Sequence, residues 1–273
     1  KDQSLFNIYL NLKKKVDINR NQLRQFEISE ALNNQFMKLF NEFILFGGYP
    51  RVILAKNLDE KKTVLKNIYN LYFLREIKDV LGFIDTIKLS NLIEALAVNT
   101  GELMEYKSLS NDFGYDFITL KKYLSFFQKT FICNFARPFF KNKKKEIIKN
   151  PKLYFLDTGL RNIIINDFRT LNLRQDKGRL YENFVFNEFI KNDINLSFWR
   201  TKSQVEIDFI YNLNQQLIPI ECKSNWSKDK TNKAFWSFKE NYNTKRAFLF
   251  NENCLGKIIT EDMENIYLPY WLV

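Results

Sequence analysis

Two carboxylates and a lysine, Asp208, Glu221 and Lys223, stand at a spacing that suits metal-assisted hydrolysis. They lie in two apolar runs, Val205–Tyr211 and Leu217–Ser224, separated by a short polar stretch around Asn214-Gln215. Each run reads as a strand, and a hairpin turning at Asn214-Gln215 puts Asp208 directly opposite Glu221. Side chains alternate along a strand, so Glu221 and Lys223 share one face while Ile220 and Cys222 point the other way. Two acids facing each other across a hairpin repel unless a cation lies between them. A hard divalent cation with oxygen ligands meets that need, with Lys223 beside the water the metal activates. The competing reading is a hairpin whose outer face carries ordinary solvated charges. Glu206 shares a face with Asp208 and reads as a solvated strand charge rather than a ligand. Arg200, at the end of the preceding strand, reads either as a phosphate contact or as a cap on a nearby carboxylate.

The elements that must position these residues follow from periodicity and punctuation. Residues 1–83 read as a helical region, with helices over Asn21–Phe46 and Thr63–Val80 and a turn at Gly47-Gly48-Tyr49-Pro50. Residues 84–157 read as a winged helix. Helices are predicted over Ile87–Asn99, Ser108–Gly114 and Thr119–Lys129, then strands over Ile132–Phe139 and Lys152–Leu156 flanking a basic loop. Residues 158–177 read as a linker with a short helix, and Asp157 there as a turn or helix cap. The last part, 178–273, reads as an α/β unit: a helix over Leu180–Lys191, a strand over Leu196–Arg200, the hairpin, a helix near Lys230–Asn241 and a strand over Lys245–Phe250. The expected class is α+β.

Composition removes several chemistries. The 273 residues contain no histidine, which excludes Ser-His-Asp and Cys-His catalysis, histidine-ligated zinc and histidine bases. Cys133, Cys222 and Cys254 are isolated, so free thiols in a reducing, cytoplasmic setting are expected rather than disulfides or zinc. No apolar run is long enough to span a bilayer, and the first residues have no signal-peptide pattern. The chain begins without methionine and reads as a piece of something longer. No phosphate-loop motif occurs, and Gly47-Gly48 lacks the strand-loop-lysine context of one.

The net charge of +11 is concentrated. Between Phe117 and Lys152 there are nine lysines and Arg137 against one acid, Glu146. Such a segment is the electrostatic footprint of a protein that meets phosphate backbones. The candidate DNA-binding residues are Lys121, Lys122 and Lys129 on the third helix of the winged-helix pattern, Lys141, Lys143, Lys144 and Lys145 at the wing tip, and Arg200.

Asp208, Glu221 and Lys223 on a hairpin resemble the core of the PD-(D/E)xK nuclease superfamily. That resemblance implies that Asp208 and Glu221 hold magnesium and that Lys223 positions the attacking water. It also implies a further acid from a preceding helix, for which Glu182 is the best match and Glu188 the fallback. Ile207 stands where the motif has proline. Six landmarks in order extend the likeness: Phe46-Gly47-Gly48-Tyr49-Pro50, Lys152 through Leu160, Gly178-x3-Glu182-Asn183-x-Val185, Phe198-Trp199-Arg200, Glu206 through Phe209, and Ile218 through Lys223. Together they resemble the C-terminal half of a family of prokaryotic AAA+ ATPases. The resemblance implies an ATPase module, in the same protein or a partner, then a winged helix and a restriction-endonuclease-like domain. The expected function is duplex DNA binding with candidate magnesium-dependent phosphodiester hydrolysis. The alternative is a non-catalytic DNA- or protein-interaction half of such an ATPase.

Overall fold

The computed structural model describes residues 3–17, 22–23, 28–73, 77, 85–140, 142–223, 233–260 and 262–273. Its N-terminal region is helical. Helix α1 (Gln3–Lys15) leads into β1 (Val16–Asp17), which pairs antiparallel with β2 (Gln22–Leu23). Helix α2 (Glu30–Phe46) follows. The expected helix over Asn21–Phe46 is therefore shorter at its start, and Ser29 is the reason. Its hydroxyl accepts the Leu32 N–H at 3.3 Å and its carbonyl the Asn33 N–H at 3.0 Å, so Ser29 caps the first turn. The chain divides into two units, residues 1–40 with 194–273, and residues 41–193.

The unit of residues 41–193 is mainly helical. Helices α3 (Pro50–Leu54) and α4 (Leu58–Asn67) come first, and α4 runs into a π-helical turn, Ile68–Phe73. Asn57 caps α4 by accepting the Glu60 N–H at 2.9 Å, which starts this helix five residues before the expected Thr63. The remainder of that expected helix, Ile77 apart, lies outside the described residues. Helices α5 (Thr86–Val98), α6 (Tyr106–Asp112) and α7 (Phe117–Lys129) then precede β3 (Cys133–Pro138). Asp85 caps α5 and Asp116 caps α7, each accepting two backbone N–H groups. The predicted stripes are buried: Leu89, Leu92, Ile93, Leu96 and Ala97 on α5, and Leu120, Tyr123, Leu124 and Phe127 on α7. They share one core with Ile132, Leu153 and Phe155. Each aliphatic or aromatic side chain so buried contributes roughly 1.5–3 kcal/mol. The basic stretch after β3, expected as a loop, contains α8 (Lys143–Ile148), started by Asn142, whose side chain accepts the Lys144 N–H at 3.0 Å. Strand β4 (Lys152–Phe155) returns antiparallel to β3, with Cys133 opposite Phe155 and Ala136 opposite Lys152, and an isolated bridge joins Leu103 to Lys152.

Residues 158–177, expected as a linker, begin with α9 (Thr158–Ile164), most of which is buried. Asp157 caps it through the Leu160 N–H at 2.8 Å while its other oxygen accepts the Gly48 N–H at 2.7 Å. The fit is close: a Cβ on Gly47, whose φ is +74°, would lie 2.1 Å from the Asp157 carboxylate, and one on Gly159 would lie 2.1 Å from the Phe46 carbonyl oxygen. Gly47 and Gly48 therefore face a carboxylate of their own chain. Buried Arg161 donates to the Ala97 carbonyl at 2.7 Å and to Asp176 at 2.5 Å, and buried Arg174 grips the same carboxylate at 2.6 and 2.8 Å. Helix α10 (Lys177–Ile190) ends the unit.

The other unit carries the predicted hairpin. Its strands β5 (Leu196–Arg200), β6 (Glu206–Leu213) and β7 (Gln216–Cys222) are antiparallel neighbours. Helix α11 (Lys233–Tyr242) then crosses to β8 (Arg246–Asn251), parallel to β7. Strands β9 (Gly256–Thr260) and β10 (Met263–Pro269) complete the order β5-β6-β7-β8-β10-β9. The crossover helix buries Phe235 and Phe238, and the Trp199 ring meets Phe238 edge-on at 5.3 Å. On α2, Phe36 stacks on Trp271 at 4.3 Å.

Candidate functional site

The hairpin turns where its sequence dictates. Asn214 and Gln215 have φ of +50° and +70°, the two left-handed positions of a type I′ turn, and Leu213 pairs with Gln216 across it. The ladder continues without a slip to Phe209 opposite Ile220. The register to that point is the one expected from the sequence, and Asp208 and Glu221 are the next residues of the two strands. Asp208 closes the pairing there through its side chain, accepting the Cys222 N–H at 2.8 Å.

Glu221 is buried at 4% exposure, and the Lys223 ammonium lies 2.6 Å from its carboxylate. Lys223 stands just past β7, where its N–H donates to the Phe250 carbonyl at 2.9 Å, and its side chain is 44% exposed. Burial pulls the Lys223 pKa down, but the nearby Glu221 and Asp208 outweigh it and hold the ammonium above the ordinary lysine value. Asp208, Glu221 and Lys223 thus converge at one end of the hairpin: two hard oxygen donors beside a persistent cation that reaches solvent. Among the described residues no group of three or more Asp, Glu, Cys or His is arranged to hold a metal.

The other expected residues have partners of their own. Glu182 sits on α10 in the unit of residues 41–193, where it pairs with Lys152 at 3.2 Å and accepts a short hydrogen bond from the Tyr154 hydroxyl. Beside it, Asn183 brackets Phe155 of β4, accepting its N–H at 3.0 Å and donating to its carbonyl at 2.6 Å. The Glu-Asn landmark therefore also ties α10 to β4. Glu188 pairs with Lys191 at 2.6 Å. Arg200 caps the carboxylate of its cross-strand neighbour Glu206 at 3.4 Å.

Of the basic residues, Lys121, Lys122 and Lys129 are exposed on α7, with Lys121 4.5 Å over the Phe117 ring. Lys144 is exposed on α8. Lys143 and Lys145 belong to α8 by their backbone, but their side chains and the whole of Lys141 lie outside the described residues. Along α7 the solvent-facing stripe reads Ile118, Lys121, Lys122, Ser125, Lys129. Sequence reasoning did not single out Ile118, 79% exposed, or Phe131, 79% exposed just past the helix.

A family model for a domain of unknown function, DUF8612, matches residues 37–174, about half of the chain. The chain belongs to the DUF8612 family. Residues 177–269 match a second domain of unknown function, DUF4143, which is found in C-terminal regions associated with AAA ATPases. The chain is 28% identical to an uncharacterized protein of Methanocaldococcus jannaschii, over 87% of this chain and 55% of that protein. It is 26% identical to an uncharacterized protein of Haemophilus influenzae, over 86% of this chain and 58% of that one. An uncharacterized protein of Mycobacterium tuberculosis is 24% identical over 66% of this chain and 42% of its own length. The chain thus spans about half the length of the curated relatives it matches. The match of the hairpin and its surroundings to DUF4143 agrees with the ATPase-associated C-terminal region expected from the six landmarks. Among the described residues, no helix is long and apolar enough to cross a membrane.

Proposed function

We propose that this chain is a DNA-binding protein whose C-terminal part is a nuclease-like domain, a candidate for magnesium-dependent phosphodiester hydrolysis. The observation that carries the reading is the convergence of Asp208, Glu221 and solvent-reaching Lys223 at one end of a hairpin in the expected register. Two hard carboxylates suit magnesium, which takes one or two carboxylates and keeps several waters, whereas a structural zinc site draws on histidines, of which the sequence has none, or on grouped cysteines, and the three here are isolated. A bound magnesium supplies Lewis-acid polarisation and an acidified water. On this reading Lys223 orients the water and offsets charge on the phosphate. The succession α5, the Leu103 bridge, α6, α7 and the β3–β4 pair supports a winged helix, with α7 as recognition helix and α8 on the wing. The lysines of α7 and α8 supply the phosphate contacts. A longer protein or a separate partner supplies the ATPase module on this reading.

A second reading, a non-catalytic DNA- or protein-interaction half of such an ATPase, is favoured by one observation. Glu182, the expected third acid, is engaged with Lys152 and Tyr154 within its own unit.

The test is incubation of the purified chain with supercoiled and linear DNA in magnesium or manganese, with Lys223→Ala and Asp208→Ala in parallel. Nicking by the wild type that both variants lose supports the nuclease. Salt-sensitive binding without nicking supports the second reading in its DNA-binding form. A chain that neither binds nor cuts DNA refutes every nucleic-acid role.

A further inference from the structure

Helix α7 ends in a motif that ordinarily calls for glycine. The Ile132 N–H reaches back to the Phe127 carbonyl at 2.9 Å, and the Phe131 N–H to the Gln128 carbonyl at 3.2 Å. Those two bonds are the Schellman pair, and they require the residue between them and the helix to be left-handed. That residue is Phe131, at φ +58°. A bulky side chain in this region is disfavoured, by roughly 1–2 kcal/mol for an L-residue.

The motif's own packing does not need the ring. Its hydrophobic contact is normally made by the residues flanking the bend, and here these are Phe127 and Ile132, 1% and 8% exposed in the same core. The Phe131 ring is instead 79% exposed. A strained backbone that presents a bare aromatic ring to solvent gains nothing evident within the fold, so the gain is sought outside it.

What surrounds the ring indicates its partner. Gln128, Lys129 and Thr130 are all exposed beside it. Lys129 continues the stripe of Lys121 and Lys122 along α7, and the surrounding segment holds nine lysines and Arg137 against Glu146. A polyanion complements that charge, and the feature of a polyanion that an aromatic ring recognises is the face of a nucleobase.

We infer that Phe131 is a nucleobase contact, stacking on a base left unpaired beside a duplex or unstacked at a kinked step. The inference rests on the proposed DNA-binding reading. It makes the junction of single and double strands, rather than uniform duplex, the substrate class of this surface.

Fluorescence anisotropy at fixed salt tests it, using labelled blunt duplex, the same duplex with an unpaired tail, and a duplex with a central flexible pyrimidine–purine step. Phe131→Gly is the informative variant, because glycine removes the ring and also relieves the left-handed strain. The expected result is tighter binding of tailed than blunt duplex by the wild type, weakened about tenfold in Phe131→Gly and retained in Phe131→Trp, with the melting temperature of Phe131→Gly equal to or above wild type. A loss confined to the flexible duplex supports the same contact at a kinked step. Unchanged affinity of Phe131→Gly for every probe overturns the inference while leaving the DNA-binding reading intact, and a lower melting temperature overturns it by making the ring structural. Failure of the wild type to bind any probe removes the DNA-binding reading and the inference together.

Discussion

The lysine–carboxylate pairs Lys152–Glu182 and Lys223–Glu221 both stand at strand ends, and they differ most in access. In the unit of residues 41–193, Lys152 and Glu182 are 3.2 Å apart, with side chains 5% and 12% exposed and the Tyr154 hydroxyl on the same carboxylate. At the hairpin, Lys223 and Glu221 are 2.6 Å apart, with the Glu221 side chain 5% exposed but the lysine 44%. The first pair is enclosed, and its evident role is to tie α10 to β4. The second has a cation that a dissolved phosphate can reach. A lysine in contact with a carboxylate serves scaffolding in the first case; on the proposed reading, solvent access to the ammonium is what the second adds.

That contrast can be broken most directly at Glu182. Glu182→Ala leaves the Lys152 charge buried and should cost about 3–5 kcal/mol, read by urea unfolding. Lys223→Ala, measured alongside, removes a half-exposed cation but leaves the buried Glu221 carboxylate without it, so a smaller loss of about 1–3 kcal/mol is expected. Equal losses would erase the difference between the two sites.

The enclosed region offers a second test at Asp157. Asp157→Ala removes the cap of α9 and leaves the Gly48 N–H without its acceptor, for an expected loss of about 2–3 kcal/mol. Acid should reveal the same enclosure. Burial pushes Asp176 upward, but the Arg174 and Arg161 guanidiniums outweigh it and hold its pKa at about 2 against an ordinary 3.8. Because the folded value is the lower one, this stabilisation is present above the unfolded pKa and is lost as pH falls from 3.8 toward 2. Asp176→Asn should therefore flatten that acid limb by roughly 2 kcal/mol in unfolding curves taken across the range. The smallest effect is expected at Gly178, where an added Cβ would meet nothing within 4 Å. Gly178→Ala should be neutral or stabilising by about 0.5–1 kcal/mol, while Gly159→Ala, aimed at the Phe46 carbonyl, should be clearly harmful.

The hairpin was legible because two apolar runs flank one short polar stretch, and a turn centred on Asn214-Gln215 sets the register. The stripes of α5 and α7 were legible from the helical spacing of their apolar residues. The start of α2 was not, because amphipathic spacing continues upstream of Ser29 and hides the cap. Strands β9 and β10 were not anticipated, since β9 alternates half-buried and exposed positions with little apolar contrast. Helix α8 was hidden by its lysines, which signal charge more loudly than helix propensity. The packing of residues 158–177 depends on Arg161, Asn162, Arg174 and Asp176, whose polar character suggests solvent until the facing carbonyls of Ala97, Ile44 and Leu45 are known. At the candidate site the triad was readable, but the engagement of Glu182 by Lys152 and Tyr154 was not, because those partners are about thirty residues away in sequence.

The split of one unit between residues 1–40 and 194–273 bears on the order of events during synthesis. In synthesis α1 and the start of α2 emerge well before the rest of their unit, since Trp271, on which Phe36 stacks, arrives after more than two hundred further residues. Residues 41–193 are contiguous and can assemble while the rest is still being translated. Throughout that interval Phe36 and its neighbours have no Trp271 to cover them, so this apolar surface stays open on the nascent chain until the last strand has been made.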